Sequence, residues 1–224
     1  MQWYLAEKGA SVTSVDRDSR ANLAVRFRAR YQVRGLNSSD LNATKSVLQT
    51  QFSEGRYRAF FRSLGGSLIG GISTKAPGSV TIYHQDLQDL KDIPQSSFDA
   101  VVAVSALEHN PPNNLKLVVQ ELMRTIKPGG KLLATLCAGR DRDWFHEPSQ
   151  GWCYSASSLK SAFELPPNTP DNYSQYDELF SSLINNTELR GNLASFYAKS
   201  DKNGMPWGKW DPKYQPVGVL KVKE

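Results

Sequence analysis

The chain has 224 residues, 39% of them hydrophobic and 22% charged, which suits one large domain with a real core. No run of about 18 apolar residues occurs, so no membrane-spanning helix is expected. The first residues, Met1 to Lys8, also lack the basic-then-apolar pattern of a secretory signal. Two cysteines, Cys137 and Cys153, have no metal-site spacing and point to reduced thiols in a cytoplasmic protein. The net charge of +5 is uneven, because Arg17 to Arg62 holds ten Lys/Arg against three Asp/Glu. Such a block can serve an anionic substrate, nucleic acid or an acidic partner, though the plainer reading, a solvated surface rich in arginine, is preferred.

In chain order, Gln2 to Lys8 reads as a helix stopped by Gly9. Ser11 to Val15 is a β-branched strand ending in Asp16. Val25 to Arg34 alternates like a strand, yet Leu23, Phe27 and Tyr31 sit at helical spacing, so both readings stay open. Asn37 to Asp40 can cap a helix running to about Phe52, and Arg56 to Leu64 forms another. "GGSLIGG", Gly65 to Gly71, is expected to be a loop, because no apolar strand precedes it and no helix follows. Residues 17–78 as a whole are expected to be an insertion, being far longer than an ordinary connection.

Regular structure resumes with the strand Val80 to Tyr83 and the apolar run Phe98 to Ser105, expected to be a parallel strand covered on both faces. Asn110, Pro111 and Pro112 signal a helix start. Leu115, Val118, Val119, Leu122, Met123 and Ile126 then make one apolar stripe. Pro128-Gly129-Gly130 is expected to end the helix, and Lys131 to Cys137 to form the next buried strand. The alternation implies an α/β fold with a parallel sheet. Beyond it, Tyr154 to Phe163 suits a short helix capped by Ser155 or Ser157, and Tyr176 to Tyr197 a longer one. "NGMPWGKWDPKY" is irregular, and Pro216 to Lys223 should be a final strand. Residues 138–224 are expected to act as a carboxyl-terminal cap and acceptor region of a single 1–224 domain.

Three pieces in this order, "SVTSVDRD", "HQDLQDLKDIPQSSFDAVVAVSALEH" and "ELMRTIKPGGKLLATL", resemble the class I S-adenosylmethionine-dependent methyltransferases, most closely their small-molecule group. The resemblance covers residues 5–137 apart from the insertion. It implies a Rossmann-like parallel sheet with helices on both faces, S-adenosylmethionine as cofactor and a small-molecule methyl acceptor. Asp16, with Arg17 beside it, would accept hydrogen bonds from the ribose hydroxyls. Asp86 would accept from the adenine amino group, the Leu87 backbone N–H would read a ring nitrogen, and Ser105 would lie under the methionine part. The family's first strand and its G-x-G-x-G turn would fall before Met1. The expectation is therefore a longer reading frame, and weak cofactor binding by the chain as it stands.

For chemistry, His109 is the first candidate general base and His146 the second, imidazole being the side chain that titrates near neutrality. Relatives with E-x-x-E-H hold a divalent metal there. Here Ser105 replaces the first glutamate, so no metal is expected. Trp144, Trp152, Tyr154, Trp207, Trp210 and Tyr214 either wall an acceptor pocket or pack a cap. A non-catalytic methyltransferase-like module is the alternative function. A nucleic-acid methyltransferase, suggested by Arg26, Arg28, Arg30 and Arg34, is disfavoured because "EHNPPNN" lacks the aromatic that stacks on a flipped base.

Overall fold

The computed structural model describes the backbone of residues 1–197 and 212–224, and the side chains of residues 1–192 and 212–224. The irregular segment around Trp207 and Trp210 lies outside them, as do the side chains of Leu193 and Phe196. The fold is mixed α/β with mostly parallel strands flanked by helices. The chain divides into two compact units, Met1–Asp92 and Ile93–Glu224, taken in turn.

The first unit runs α1 (Gln2–Glu7), β1 (Ser11–Asp16), α2 (Val25–Arg30), β2 (Gln32–Gly35), α3 (Thr44–Ser53), α4 (Tyr57–Ile72) and β3 (Ser79–His84). All three strands are parallel, in the order β1-β3-β2. β3 takes the centre because Val80 to Tyr83 are all buried and no proline interrupts them. Val80 and Ile82 meet Ala6, Tyr31 and Ala76, with Trp3, Phe27 and Val33 packed against that core. Trp3 stacks flat on Phe27, ring centres 4.9 Å apart. The Val25–Arg34 ambiguity resolves into both elements. Helix α2 carries Phe27 towards the core, Tyr31 turns extended, and Gln32–Gly35 joins the sheet.

The loop expected at "GGSLIGG" is instead the second half of α4. Its glycines serve a helix crossing. A Cβ on Gly66 would sit 2.5 Å from Cβ of Arg26, and one on Gly70 2.2 Å from Cβ of Ala29. Only bare backbone lets α4 lie this close to α2, and that gain outweighs the helix-weakening cost of glycine.

The second unit contains β4 (Phe98–Val104), a turn of 3₁₀ helix (Leu107–His109), α5 (Pro112–Thr125), β5 (Ile126–Ala138), β6 (Trp144–His146), β7 (Gly151–Tyr154), α6 (Ala156–Ala162), α7 (Tyr176–Asn185), α8 (Thr187–Tyr197) and β8 (Gln215–Val222). β5 is the hub, parallel to β4 and β7 and antiparallel to β8, while β6 and β7 form a hairpin. α5 buries Leu115, Val118, Val119 and Leu122 as its stripe requires. It ends at Thr125, before the Pro-Gly-Gly expected to stop it. Pro128 pushes the preceding residue extended, so β5 already begins at Ile126 and runs through the glycines.

β4 departs from expectation, since Val102 and Val104 are 43% and 54% exposed. Among the described residues it pairs with β5 alone, as β1 pairs with β3 alone. Ser155 does cap α6, accepting from the Ser158 N–H. The long helix expected over 176–197 breaks at Asn186, whose side chain accepts from the Leu189 N–H and starts α8.

The α2–α4 crossing predicts opposite outcomes for neighbouring glycines. Gly70→Val should cost about 1–3 kcal/mol through overpacking. Gly71→Ala, which meets open space, should gain about 0.5–1 kcal/mol of helix propensity. Urea denaturation midpoints at constant slope measure both.

Candidate functional site

Parallel strands gather their carboxyl ends at one end of a sheet, where open α/β folds place ligands. In the first unit that end holds four of the expected residues. Asp16 closes β1 in register with His84, so Asp86 follows just past the end of the adjacent strand. The Gln85 N–H donates to the Asp16 carbonyl at 3.2 Å, joining the two strand ends. His84 Nε2–H donates to the Arg17 carbonyl at 2.7 Å and fixes the turn after Asp16. The structure thus brings Asp16, Arg17, Asp86 and Leu87 together at one strand end.

The two carboxylates differ in how they are held. Asp16 Oδ1 accepts from the Asp18 N–H at 2.9 Å, and Oδ2 pairs with the Arg20 guanidinium. Asp86 Oδ1 accepts from the Gln88 N–H at 2.9 Å and shapes its own turn. Neither is buried. Buried Asp40 closes the neighbouring loop, accepting from the Asn37 and His84 backbone N–H groups at 2.7 and 3.2 Å. Asp92, on which the Asn37 amide and the Tyr83 hydroxyl both converge, is held below the usual carboxylate range by those two hydrogen bonds.

In the second unit the carboxyl end of β4 carries Ser105, Glu108 and His109. Of the four described non-glycine residues with left-handed backbone, two flank this turn: Ser105 at φ +47° and Gln150 at φ +52°. Such strain gathers where a structure holds a group in place against local preference. His109 is exposed, with Nδ1 2.9 Å from the Gln150 carbonyl oxygen. A carbonyl only accepts, so in the neutral ring Nδ1 carries the proton and Nε2 keeps its lone pair. From beneath, Tyr154 donates to the Leu107 carbonyl at 3.2 Å and reaches the Asn110 carbonyl.

Glu108 is the opposite case. It is 6% exposed, and Oε2 has no hydrogen-bond partner among the described residues. Burial pushes its carboxyl above the usual range, against smaller opposing effects from its own backbone N–H, His109 and Ser105. His146, the second candidate base, is also buried. Its Nδ1 lies 2.7 Å from Ser149 Oγ, and its ring packs edge-on against Trp144 and Tyr214. Burial, aided by Lys213, holds its pKa down, so the ring stays neutral. Of the two histidines only His109 presents itself to solvent. Cys137 and Cys153 are free, buried and in register across β5 and β7. Among the described residues no three His, Cys, Asp or Glu side chains converge as metal ligands.

The sequence reading missed three parts of this arrangement. Arg20 lies four residues after Asp16 but outside any helix, so the helical pairing rule does not announce their salt bridge. The Tyr154 clamp and the Gln150 carbonyl come from 41–47 residues away, and no local pattern announces them.

Residues 68–134 match a family model described as a methyltransferase domain. That segment is methyltransferase-like. It carries Asp86, Leu87, Ser105 and His109, and it agrees with the class I family the sequence resembles. No curated protein matches the chain. Among solved structures, a Methanosarcina mazei S-adenosylmethionine-dependent methyltransferase is 16% identical at a TM-score of 0.43, over 72% of this chain and 71% of that one. Haemonchus contortus phosphoethanolamine N-methyltransferase 2 is 14% identical at 0.44, over 90% of this chain and 52% of that one. A Burkholderia thailandensis 1,6-didemethyltoxoflavin N1-methyltransferase is 9% identical at 0.35, over 66% and 67%.

The buried glutamate makes a pH prediction. A raised native pKa means the folded protein holds the Glu108 proton more tightly than the unfolded chain does. Its favourable contribution is therefore full below the ordinary glutamate pKa and lost as pH rises through the native value. Glu108→Gln should match the parent near pH 4 and exceed its stability by about 1–2 kcal/mol near pH 8. Urea titrations at the two pH values test this.

Proposed function

We propose that the chain is an S-adenosylmethionine-dependent methyltransferase acting on a small molecule. The observation carrying this reading is the placement of Asp16 and Asp86 after the carboxyl ends of two adjacent parallel strands. The methyltransferase-domain match over residues 68–134 supports it independently. Asp16 would hold the ribose hydroxyls, while Asp86 and the Leu87 N–H would hold adenine. The cofactor supplies a methyl group on a positively charged sulfur, which departs as a neutral thioether. The protein's remaining tasks are to position the acceptor and to receive its proton. His109 suits the second task. With Nδ1–H committed to Gln150, its Nε2 keeps a lone pair that would receive a proton.

A second reading, a non-catalytic binding module, is favoured by one observation. The carboxylate needed for ribose is already engaged by Arg20 and the Asp18 N–H. Ribose hydroxyls would compete with Arg20 for that carboxylate, and the chain is accordingly proposed to bind weakly.

Calorimetry with S-adenosylhomocysteine tests both. The expected result is saturable binding weaker than micromolar, at least about tenfold weaker in Asp16→Asn. Arg20→Ala should tighten it about two- to fivefold, the worth of an exposed ion pair. Unchanged affinity in Asp16→Asn removes the cofactor role of that residue. No heat with either the parent or Arg20→Ala favours the non-catalytic module.

A further inference from the structure

Helix α4 is amphipathic in an inverted sense. Its small residues face inward, with Ser63 and Gly70 buried and Gly66 and Gly70 against α2. Most of its bulky residues face out, Phe60 and Leu64 being half-buried. Tyr57, Phe61, Leu68 and Ile72, at i, i+4, i+11 and i+15, are 53%, 66%, 64% and 91% exposed, and Ile69 beside them is 70% exposed. Phe52 of α3 extends the surface, meeting the rings of Tyr57 and Phe60 edge-on at 5.6 and 5.4 Å. Where the two helices meet, Leu48, Phe52 and Phe60 line an open groove of about 570 Å³ with Lys45 at its rim. Contiguous apolar exposure on this scale marks a surface that meets another phase or molecule.

The charge around it is of one sign. Between Leu41 and Lys75 stand Lys45, Arg56, Arg58, Arg62 and Lys75 against Glu54 alone, and Glu54 already pairs with Arg56 at 3.4 Å. Arg58 and Arg62 flank the apolar stripe, are exposed, and make no hydrogen bond or ion pair among the described residues. A second copy seated on this face would set these arginines against one another with no acid to separate them. Nucleic acid answers the charge and the rings of Tyr57 and Phe61, but not the carboxyl-terminal half of the stripe, where Leu68, Ile69 and Ile72 offer a base nothing to stack on. α4 has 16 residues, and no helix among the described residues is long and apolar enough to cross a bilayer.

We infer that the α3–α4 hairpin docks on an anionic lipid surface. The stripe from Tyr57 to Ile72 lies in the plane of the membrane and enters the boundary between head groups and acyl chains. Arg58 and Arg62 meet lipid phosphates on its flank. Apolar insertion combined with paired basic residues is the pattern of helices that lie on membranes. The inference does not depend on the methyltransferase reading.

Flotation of the full chain with extruded vesicles tests it, comparing pure phosphatidylcholine with vesicles holding about 30% phosphatidylglycerol. The protein should float with the anionic vesicles only, and release as salt rises from about 0.1 M to 0.5 M. Arg58→Gln/Arg62→Gln should weaken binding about 25-fold, roughly fivefold for each charge. Phe61→Ser/Leu68→Ser should abolish insertion while the circular dichroism and thermal melt, at these exposed positions, stay those of the parent. Absence of flotation with anionic vesicles overturns the inference, as does flotation that both double variants leave unchanged. A dimer in sedimentation velocity that Phe61→Ser/Leu68→Ser converts to monomer overturns it too, by assigning the stripe to self-association. RNA binding lost in Arg58→Gln/Arg62→Gln, without vesicle binding, does the same in favour of nucleic acid.

Discussion

Parallel strands cannot be joined by a tight turn, and each return requires a crossover along a face of the sheet. Most of this molecule follows from that constraint. Between Asp16 and Ser79 the chain makes α2, β2, α3 and α4 before it can lay β3 beside β1. The reward is geometric, because strands running the same way end at the same edge. Asp16 and Asp86 are 70 positions apart in the chain and become neighbours in the ladder through the Asp16–His84 register. β3 bears this arrangement, hydrogen-bonded on both edges and buried along Val80 to Tyr83.

The acidic groups of the molecule divide by burial. Asp16 is partly exposed and already satisfied by Arg20 and a backbone N–H, so a ligand competes with an existing partner that solvent screens. Glu108 is buried with one oxygen unanswered, so its own protonation relieves the deficit. Exposed carboxylates of the first kind can exchange partners cheaply. A buried carboxyl of the second kind costs stability whenever it ionises, yet it sits beside His109 in a turn held by two left-handed residues and a tyrosine clamp. That combination of strain and unmet polarity makes the Ser105–His109 turn the most unusual chemistry of the second unit.

How far the sequence reaches depends on whether a signal is local. The stripe of α5 and the apolar run of β3 are local, and both elements form there, α5 stopping one residue short of the stripe's last member, Ile126. The serine cap of α6 is equally local. Gly9 ends α1 as expected, but the reading of "GGSLIGG" and the coverage of β4 failed. "GGSLIGG" was expected as a loop because no apolar strand precedes it and no helix follows, yet Gly66 and Gly70 are there for Arg26 and Ala29 of α2, some forty residues earlier. β4 was expected to be covered because its residues are apolar, yet whether valine is covered depends on neighbours that composition does not name. The site divides the same way. Asp16, Asp86 and Ser105 were named from the family resemblance and His109 from its titration near neutrality, and each lies at or just past the carboxyl end of a parallel strand. The groups that orient the Ser105–His109 turn, the Gln150 carbonyl against His109 and the Tyr154 hydroxyl against the Leu107 and Asn110 carbonyls, arrive only through the fold.

Helix α4 shows how one composition meets two demands. Its four glycines occupy faces with different neighbours, for Gly66 and Gly70 touch α2 while Gly65 and Gly71 meet open space. Where Gly66 and Gly70 meet α2 there is no room for a large side chain, and Tyr57, Phe61, Leu68 and Ile72 point away. In most surface helices the apolar stripe is what holds the helix to the protein. Here backbone proximity does the holding, through van der Waals contact between α2 and α4. The apolar stripe is thereby released from folding, and its exposure beside Arg58 and Arg62 needs an explanation outside the core.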